Sequence, residues 1–332
     1  MNRRAFVAGV TAAGTAGLLG LRPDEGAAEP PPETTKLRLP QGASTCQAPQ
    51  YVAAELLRGE GFSEVTYVRQ PAGPGMYKAL ASGEVDVGSV FVAPFIRQVD
   101  AGEPVVILAG AHVGCLELFG TERVRTLRDL KGKTVAVAAE GAPGHVFVAS
   151  MLAHVGLNPR QDVRWVAQSG MEAARLLADG KVDAYMSTPP EAQELRARKI
   201  GHVVVNTTVD RPWSQYFCCV VAANREFVRK HPAATKRALR AILKATDLCA
   251  LEPERAARVL AGRGFTARAD YTLQMMREIP YARWREYHPE DTVRFYALRL
   301  REAGMIKTSP QKILADGTDW RFLNELRKEL KG

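Results

Sequence analysis

The stretch from Lys36 to Leu57 reads KLRLPQGASTCQAPQYVAAELL, and its pattern recurs later in the chain. The alternation of Leu37 and Leu39 with polar neighbours predicts a short strand. Small and polar residues at 41–47 form a loop, after which Pro49 opens a helical pattern. Together, a strand, a small-residue loop and a helix start leave backbone N–H groups free for a polar or anionic ligand. The alternative is an ordinary turn at the edge of a sheet.

Residues 1–28 are predicted to be a secretory signal peptide that is not part of the fold. Arg3 and Arg4 precede a mildly apolar run, rich in glycine and alanine, that ends near Leu21. The arginine pair resembles a twin-arginine export signal. A retained membrane anchor is the alternative, but the run is short for crossing a bilayer. Residues 29–35, which contain consecutive prolines, are predicted to be a linker.

The chain has 332 residues, which is enough for about two domains. Its formal net charge is +9, and because the signal segment carries three basic and two acidic residues, the mature chain keeps +8. This excess favours an anionic ligand or a membrane surface. The basic residues are spread along helical segments without interleaved aromatic residues, so the sequence argues against nucleic-acid binding.

The cysteines carry no recognisable metal-binding spacing. They lie at positions 46, 115, 218, 219 and 249, an odd number for an exported chain. Cys218 and Cys219 are adjacent in a strand pattern and are expected to point to opposite faces. We therefore predict buried free thiols, no metal site and no cofactor, and leave open a pairing of Cys46 across the fold.

Strand and helix patterns alternate through two successive series. The first series runs from Lys36 to about Gly110, and the second starts at Thr134 and ends near Val205. A strand-like run follows at 215–222, and every segment beyond Asn224 has a helical pattern. This order predicts an α/β fold with a helical C-terminal extension.

The two series share an internal motif that precedes a strand. KALASGEVDV at Lys78–Val87 corresponds to RLLADGKVDA at Arg175–Ala184. The match predicts two similar lobes with a cleft between them. In α/β folds, ligands bind in such clefts, beside the carboxyl ends of the strands.

With these motifs in view, the chain resembles the solute-binding proteins of ABC importers, in the branch that handles sulfonates, taurine, nitrate and thiamine pyrimidine precursors. The resemblance rests on Ala48–Val52, the two motifs just compared, LRDLKGKTVAV at Leu127–Val137 and NREFVRKHP at Asn224–Pro232. Together these segments are distributed over nearly all of the mature chain. They are specific for the superfamily and say little about the ligand.

The resemblance implies a two-lobed type II periplasmic-binding-protein fold, in which each lobe is a mixed sheet flanked by helices. Lobe I would comprise residues 36–111 and 216–332, and lobe II residues 126–206. Two crossovers, near 112–125 and 207–215, would act as hinges that close the lobes over the ligand.

The resemblance also implies ligand contacts from loops that face the cleft. The predicted contact residues are Thr45, Cys46, Gln47, Ser89, Phe91, Gly141, Ala142, Gly144, His145, Thr188 and Tyr216. Each has a plainer interpretation: the glycines and His145 as an ordinary helix start, the aromatic residues as core. No base near Cys46 in the sequence would activate it as a nucleophile, so no catalytic residue is predicted.

The function implied is the periplasmic, non-enzymatic binding component of an ABC importer, a monomer that delivers its solute to a permease and ATPase. One alternative is an enzyme like the relative that makes the thiamine pyrimidine from its own active-site histidine. That relative carries a cysteine-rich iron-binding run, of which Phe217, Cys218 and Cys219 are only a fragment. A second alternative is a binding partner of a membrane sensor.

Two features of the sequence disagree about the ligand. Helix starts and the net charge favour an anion such as a sulfonate, taurine or nitrate. The predicted cleft loops, however, contain no arginine or lysine. That absence favours a larger, partly apolar solute, such as an aromatic or heterocyclic acid.

Overall fold

The computed structural model describes residues 29–42, 44–70 and 75–330, and those from Pro32 onward belong to one unit. The predicted signal peptide, residues 1–28, lies outside the described residues. Within the described ranges, no helix combines the length and apolar character needed to cross a bilayer.

The strands of the described residues are short. They are β1 (Lys36–Gln41), β2 (Glu64–Arg69), β3 (Val87–Phe91), β4 (Val105–Val113), β5 (Glu117–Gly120), β6 (Lys133–Val137), β7 (Val163–Ala167), β8 (Ala184–Ser187), β9 (His202–Asn206) and β10 (Phe217–Asn224). β1 and β10 overlap the runs predicted at Leu37–Leu39 and at 215–222.

Helices separate most of these strands and make up nearly all of the C-terminal third. They are α1 (Ala48–Val52), α2 (Ala54–Gly59), α3 (Gly75–Ser82), α4 (Val92–Asp100), α5 (Pro143–His154), α6 (Gly170–Ala178), α7 (Glu191–Ala197), α8 (Arg225–Lys230), α9 (Pro232–Leu251), α10 (Pro253–Gly262), α11 (Ala269–Glu278), α12 (Pro289–Glu302), α13 (Pro310–Gly317) and α14 (Arg321–Glu329).

The described strands pair into three sheets. β1 and β2 are parallel, and β10 lies between β3 and β4, antiparallel to both. The third sheet has the order β7-β6-β8-β5-β9, in which β5 is antiparallel to both of its neighbours. The predicted α/β class with a helical C-terminal extension is therefore confirmed, and the five-stranded sheet is mixed, with both parallel and antiparallel pairs. The strands from β5 to β9 share one sheet, while the lobe boundaries remain a prediction.

A tight turn separates β4 from β5, although the sequence between them is largely apolar. β4 continues to Val113, and β5 starts only at Glu117, inside the five-stranded sheet. Gly114 between them has φ +65°, a left-handed conformation that a strand cannot accommodate. Cys115 follows with φ +131°, and the Oγ1 of Thr207 accepts a hydrogen bond from its N–H at 3.1 Å. The turn thus redirects the chain from one sheet to the next.

The aspartate in each repeated motif performs the same task in its own series. Asp86 accepts the backbone N–H of Arg38 at 2.7 Å, and Asp183 accepts that of Thr134 at 2.9 Å. In return, the backbone N–H of each aspartate donates to the carbonyl of the same residue at 2.8 Å. Each carboxylate also pairs with an arginine side chain. The aspartate therefore joins the start of β3 to β1 in the first series and the start of β8 to β6 in the second. This shared role gives a physical reason why the motif is repeated.

The central three-stranded sheet is the most deeply buried part of the described chain. Every residue of β3, β4 and β10 is buried. This burial explains their near-continuous apolar sequences, because a strand covered on both faces has no position that favours a charge. The carboxyl end of β3 therefore belongs to this buried sheet.

Candidate functional site

A cavity of about 310 Å³ opens at the carboxyl ends of β1, β3, β6 and β8. The starts of α5 and α7 complete its wall, and side chains from α3 reach into it. We call it the strand-end cavity. Its size lies at the lower end of the range for small-molecule sites, roughly 300–1,000 Å³. The position is the one at which α/β folds place ligands.

Buried polar atoms of the cavity wall lack hydrogen-bond partners among the described residues. They are the Oε1 of Gln47, the hydroxyl of Tyr77 and the Oε1 of Glu191. An unpaired buried polar atom costs about 1–3 kcal/mol, and a polar ligand in the cavity would remove that cost by bonding to these atoms. The arrangement is typical of a site that a polar ligand completes.

Hydrogen bonds on the far side fix which atoms face the cavity. The Nε2 of Gln47 donates to the carbonyl of Ser89 at 2.8 Å, so its Oε1 must be the atom left over. The Oε2 of Glu191 accepts from the Tyr185 hydroxyl at 2.8 Å and from the Ser187 hydroxyl at 3.2 Å. Two of the unpaired atoms are therefore acceptors, held in place by neighbouring groups.

Burial also determines the charge state of the wall. It raises the pKa of Glu191, an effect that the hydrogen bonds from Tyr185 and Ser187 partly oppose. Burial raises the pKa of the Tyr77 hydroxyl well above its usual value, so this group stays neutral. Among the described residues that line the cavity there is no lysine, arginine or histidine, and Glu191 supplies the sole formal charge.

Apolar groups form the rest of the wall. Met76 and Phe91 lie on the β1–β3 side, and Met186 lies on the β8 side. The Phe91 ring meets Phe147 edge to face, with 6.3 Å between centroids. Flat apolar walls beside a few fixed polar atoms suit a small planar molecule.

The loop after β1 contacts the loop after β8 at one side of the cavity. The carbonyl of Pro189 accepts the backbone N–H of Thr45 and the hydroxyl of Ser44, each at 3.2 Å. These bonds join residues far apart in sequence across the cavity opening. Separating the two loops would widen the cavity.

The NMT1-like family model matches residues 30–262, more than two thirds of the chain. This chain belongs to the NMT1-like family.

Solved structures of similar fold include binding proteins for nitrate and for alkanesulfonates. The periplasmic nitrate-binding protein NrtA from Synechocystis PCC 6803 has a TM-score of 0.75 at 16% identity, over 91% of this chain and 90% of that one. The alkanesulfonate-binding protein SsuA from Xanthomonas axonopodis pv. citri has a TM-score of 0.65 at 19% identity, over 89% and 100%. The resemblance inferred from the sequence and the periplasmic-binding-protein fold are both confirmed.

A curated relative with higher identity has a different activity. The 4-amino-5-hydroxymethyl-2-methylpyrimidine phosphate synthase THI5 of Saccharomyces cerevisiae is 25% identical over 205 residues. The match covers 57% of this chain and 59% of that protein, so it spans less than two thirds of either.

Some of the predicted contact residues of this NMT1-like protein line the strand-end cavity. They are Gln47, Phe91, Ala142, Gly144 and Thr188. Ala142 and Gly144 belong to the start of α5, whose N-cap has no side-chain hydrogen bond. A Cβ atom at Gly144 would stand 3.3 Å from the Met186 carbonyl, which explains the need for a very small residue there.

Another group of predicted residues is buried behind the cavity wall. Thr45, Cys46 and Ser89 are at most 2% exposed and do not line the cavity. The hydroxyls of Thr45 and Ser89 nevertheless lack partners among the described residues. The backbone N–H of Thr45 donates to the Pro189 carbonyl, and the Ser89 carbonyl accepts from the Gln47 side chain. These two bonds position residues of the cavity wall.

The remaining predicted residues lie elsewhere. His145 borders a separate cavity of about 440 Å³, where its Nδ1 accepts the N–H of Gly141 at 3.0 Å and its ring meets Trp165. Burial lowers the pKa of His145, which therefore favours the neutral ring. Tyr216 stacks on Phe295 with 4.0 Å between centroids and does not reach the strand-end cavity. The structure does not bring these residues together with the others.

The sequence interpretation missed Met76, Tyr77, Tyr185 and Glu191. Met76 and Tyr77 have the pattern of a helix core, and Tyr185 that of a buried strand. Glu191 had a usable signal, since it lies three residues after the predicted contact residue Thr188 and just after two consecutive prolines.

A second chemical feature lies directly behind the cavity. The side chains of Cys46, His112, Cys115 and Cys219 converge so that one ligand atom from each lies within 4.8 Å of the others. We call this group the thiol–imidazole cluster. All five cysteines are free and buried, as the sequence predicted, but the cluster itself was not foreseen.

Proposed function

We propose that this chain is the solute-binding component of an ABC importer and that it holds its solute in the strand-end cavity. The observation that carries the proposal is the set of unpaired acceptors, Gln47 Oε1 and Glu191 Oε1, beside the Tyr77 hydroxyl in one small cavity. The binding roles of the structural relatives support it. Opening and closing of the loops that meet at Pro189 would admit and release the solute.

The solute is a small, flat, neutral or cationic heterocycle that carries N–H donors. Two fixed acceptors would bind such donors, while the apolar walls would enclose the ring. A nitrate or sulfonate would instead face the Glu191 carboxylate without a lysine or arginine among the described lining residues. The positive net charge of the chain, which favoured an anion, does not extend to this wall.

Delivery to the importer requires export and partner subunits. The predicted signal peptide supports a periplasmic location, with the twin-arginine route as one means of export. A permease and an ATPase in the inner membrane would receive the solute, and a monomer suffices for capture by two lobes. The lobe and hinge boundaries predicted from the sequence belong to this proposal.

The alternative is an enzyme related to the pyrimidine phosphate synthases. The resemblance stated above implies that such an enzyme consumes an active-site histidine. No histidine is among the described residues that line the strand-end cavity. His145 borders another cavity, and His112 is enclosed in the thiol–imidazole cluster. The positions of His145 and His112 favour a solute-binding protein over a synthase that consumes a histidine.

The fate of a bound probe tests binding against catalysis. We expect 4-amino-5-hydroxymethyl-2-methylpyrimidine to bind one molecule per chain and to be recovered unchanged after denaturation, with the intact mass of the chain unaltered. Mass spectrometry of both protein and probe gives the readout. A purified chain that has lost mass at one histidine, and that releases the pyrimidine without any added probe, would instead support the synthase-like alternative.

A further inference from the structure

The thiol–imidazole cluster is assembled from three separate parts of the chain. Cys46 lies in the 3₁₀ turn after β1, His112 in β4, Cys115 just beyond β4 and Cys219 in β10. Each residue is at most 4% exposed, and their ligand atoms lie within 4.8 Å of one another. Three sulfurs and one imidazole nitrogen are a set that structural zinc sites use.

The imidazole is oriented as a metal ligand. The Nδ1 of His112 lies 3.3 Å from the carbonyl of Val113, to which it donates in the Nδ1–H tautomer. That tautomer leaves a lone pair on Nε2, which is buried and has no hydrogen-bond partner among the described residues. Metal-binding histidines commonly donate their other N–H to a backbone carbonyl in this way.

The sulfur spacing fits tetrahedral coordination. The Sγ atoms of Cys46 and Cys219 are 3.8 Å apart. A Zn–S bond of about 2.3 Å gives a tetrahedral S–S edge of about 3.8 Å. The two sulfurs could therefore coordinate one ion without moving apart or closing into a disulfide.

The fold holds the ligand residues firmly. Cys219 and His112 are directly paired across the β10–β4 ladder, so their side chains share a face of the sheet. Thr207 Oγ1 accepts the N–H of Cys115, whose φ of +131° is rare for a residue with a side chain. Tyr281 donates its hydroxyl to the carbonyl of Cys46 at 3.2 Å.

Polar groups around the cluster can stabilise thiolates. The Sγ of Cys218 lies 3.0 Å from that of Cys115, and the Oγ of Ser44 lies 3.1 Å from the Sγ of Cys46. Each can donate a hydrogen bond to a negatively charged sulfur. Such contacts to the ligand atoms are a regular part of metal sites.

We propose that Cys46, His112, Cys115 and Cys219 form a closed, structural Zn²⁺ site. Only Cys219 of the adjacent pair Cys218 and Cys219 is a proposed ligand. The other three ligands are distant from it in sequence, so the spacing of the cysteines did not reveal the site. Cys46 directly precedes Gln47, which lines the strand-end cavity. An ion bound to Cys46 would therefore fix the position of the loop that carries Gln47. Binding would release the thiol protons as the Zn–S bonds form.

Cobalt binding tests the site, with zinc as the competing ion. We expect the reduced, metal-stripped chain to bind one Co²⁺ with the charge-transfer absorption of thiolate–cobalt bonds, and Zn²⁺ to displace it. Cys219→Ser should weaken binding by more than the roughly 10–100-fold that loss of a secondary contact costs. Cys249→Ser is the matched control, because Cys249 is buried in α9 and is not a cluster member.

A second variant keeps the test decisive if Cys219→Ser does not fold. His112→Gln retains all three thiols and should bind Co²⁺ more weakly, with an altered absorption spectrum. In a separate measurement, Zn²⁺ should raise the melting temperature of the wild type and of Cys249→Ser. Absence of thiolate–cobalt absorption in the reduced wild type would overturn the proposal. So would equal binding by all variants, or a Cys115–Cys218 or Cys46–Cys219 disulfide in the purified chain.

Discussion

Replacing Gly144 with tryptophan is expected to abolish binding of 4-amino-5-hydroxymethyl-2-methylpyrimidine, with a loss of at least about 100-fold in affinity. A Cβ atom at this position stands 3.3–3.4 Å from Met186, and Gly144 lines the strand-end cavity, so a tryptophan side chain there would occupy part of the cavity. Calorimetric titration measures the affinity. Binding would be lost because the tryptophan ring occupies the cavity and keeps the loops after β1 and β8 apart.

Gly59→Trp is the matched control for that substitution. A Cβ atom at Gly59 meets nothing within 4 Å, and the residue lies at the exposed end of α2. Gly59→Trp should melt within about 2–4 °C of the wild type, which corresponds to about 1 kcal/mol of stability. Gly144→Trp should lose more than that and still be folded at the temperature of the titration. Unchanged probe affinity in a folded Gly144→Trp variant would place the binding site elsewhere.

Glu191→Gln is expected to weaken binding of the same probe by roughly 10–100-fold. The substitution replaces a charged acceptor with an amide, and a hydrogen bond to a charged group contributes about 1.5–3 kcal/mol. Glu194→Gln removes the same charge from the same helix, but Glu194 pairs with Arg198 and Arg268 rather than lining the cavity. That control should bind as the wild type does. Equal losses in both variants would contradict a contact between Glu191 and the probe.

The pH dependence of binding gives an independent measure of the same contact. Because burial raises the pKa of Glu191, protonation sets in at a higher pH than for an exposed glutamate. The ionised form is the better acceptor, so wild-type affinity should fall as pH is lowered through that raised pKa. Any dependence left in Glu191→Gln reports titration of the probe itself. A larger fall in the variant than in the wild type would contradict the assignment.

Local patterns were sufficient for most of the fold. Leu37 and Leu39 lie in β1 as predicted, and Pro49 is the second residue of α1. The repeated aspartates, Asp86 and Asp183, fasten corresponding strands. The insertion of β10 between β3 and β4 was not predictable, because it depends on pairing over more than 100 residues. The local sequence pattern of a strand does not show which distant strand it pairs with.

The site was only partly predictable for a related reason. Loops after strands identified Gln47, Gly144 and Thr188, since helix starts occur at strand ends in this fold class. Tyr77 and Tyr185 have the sequence pattern of core residues, and only the packing shows that their edges reach a cavity. His145 borders a different cavity, where it accepts a hydrogen bond from Gly141 and contacts Trp165.

The measurement that tests the central claim most directly is a thermal-shift comparison of ligand classes with the mature protein. A specific ligand at a hundredfold excess over its dissociation constant adds about 2.7 kcal/mol of stability. The account predicts that aminopyrimidines raise the melting temperature in a concentration-dependent manner, whereas nitrate and methanesulfonate do not. Stabilisation by nitrate or methanesulfonate, without any by aminopyrimidines, would contradict it.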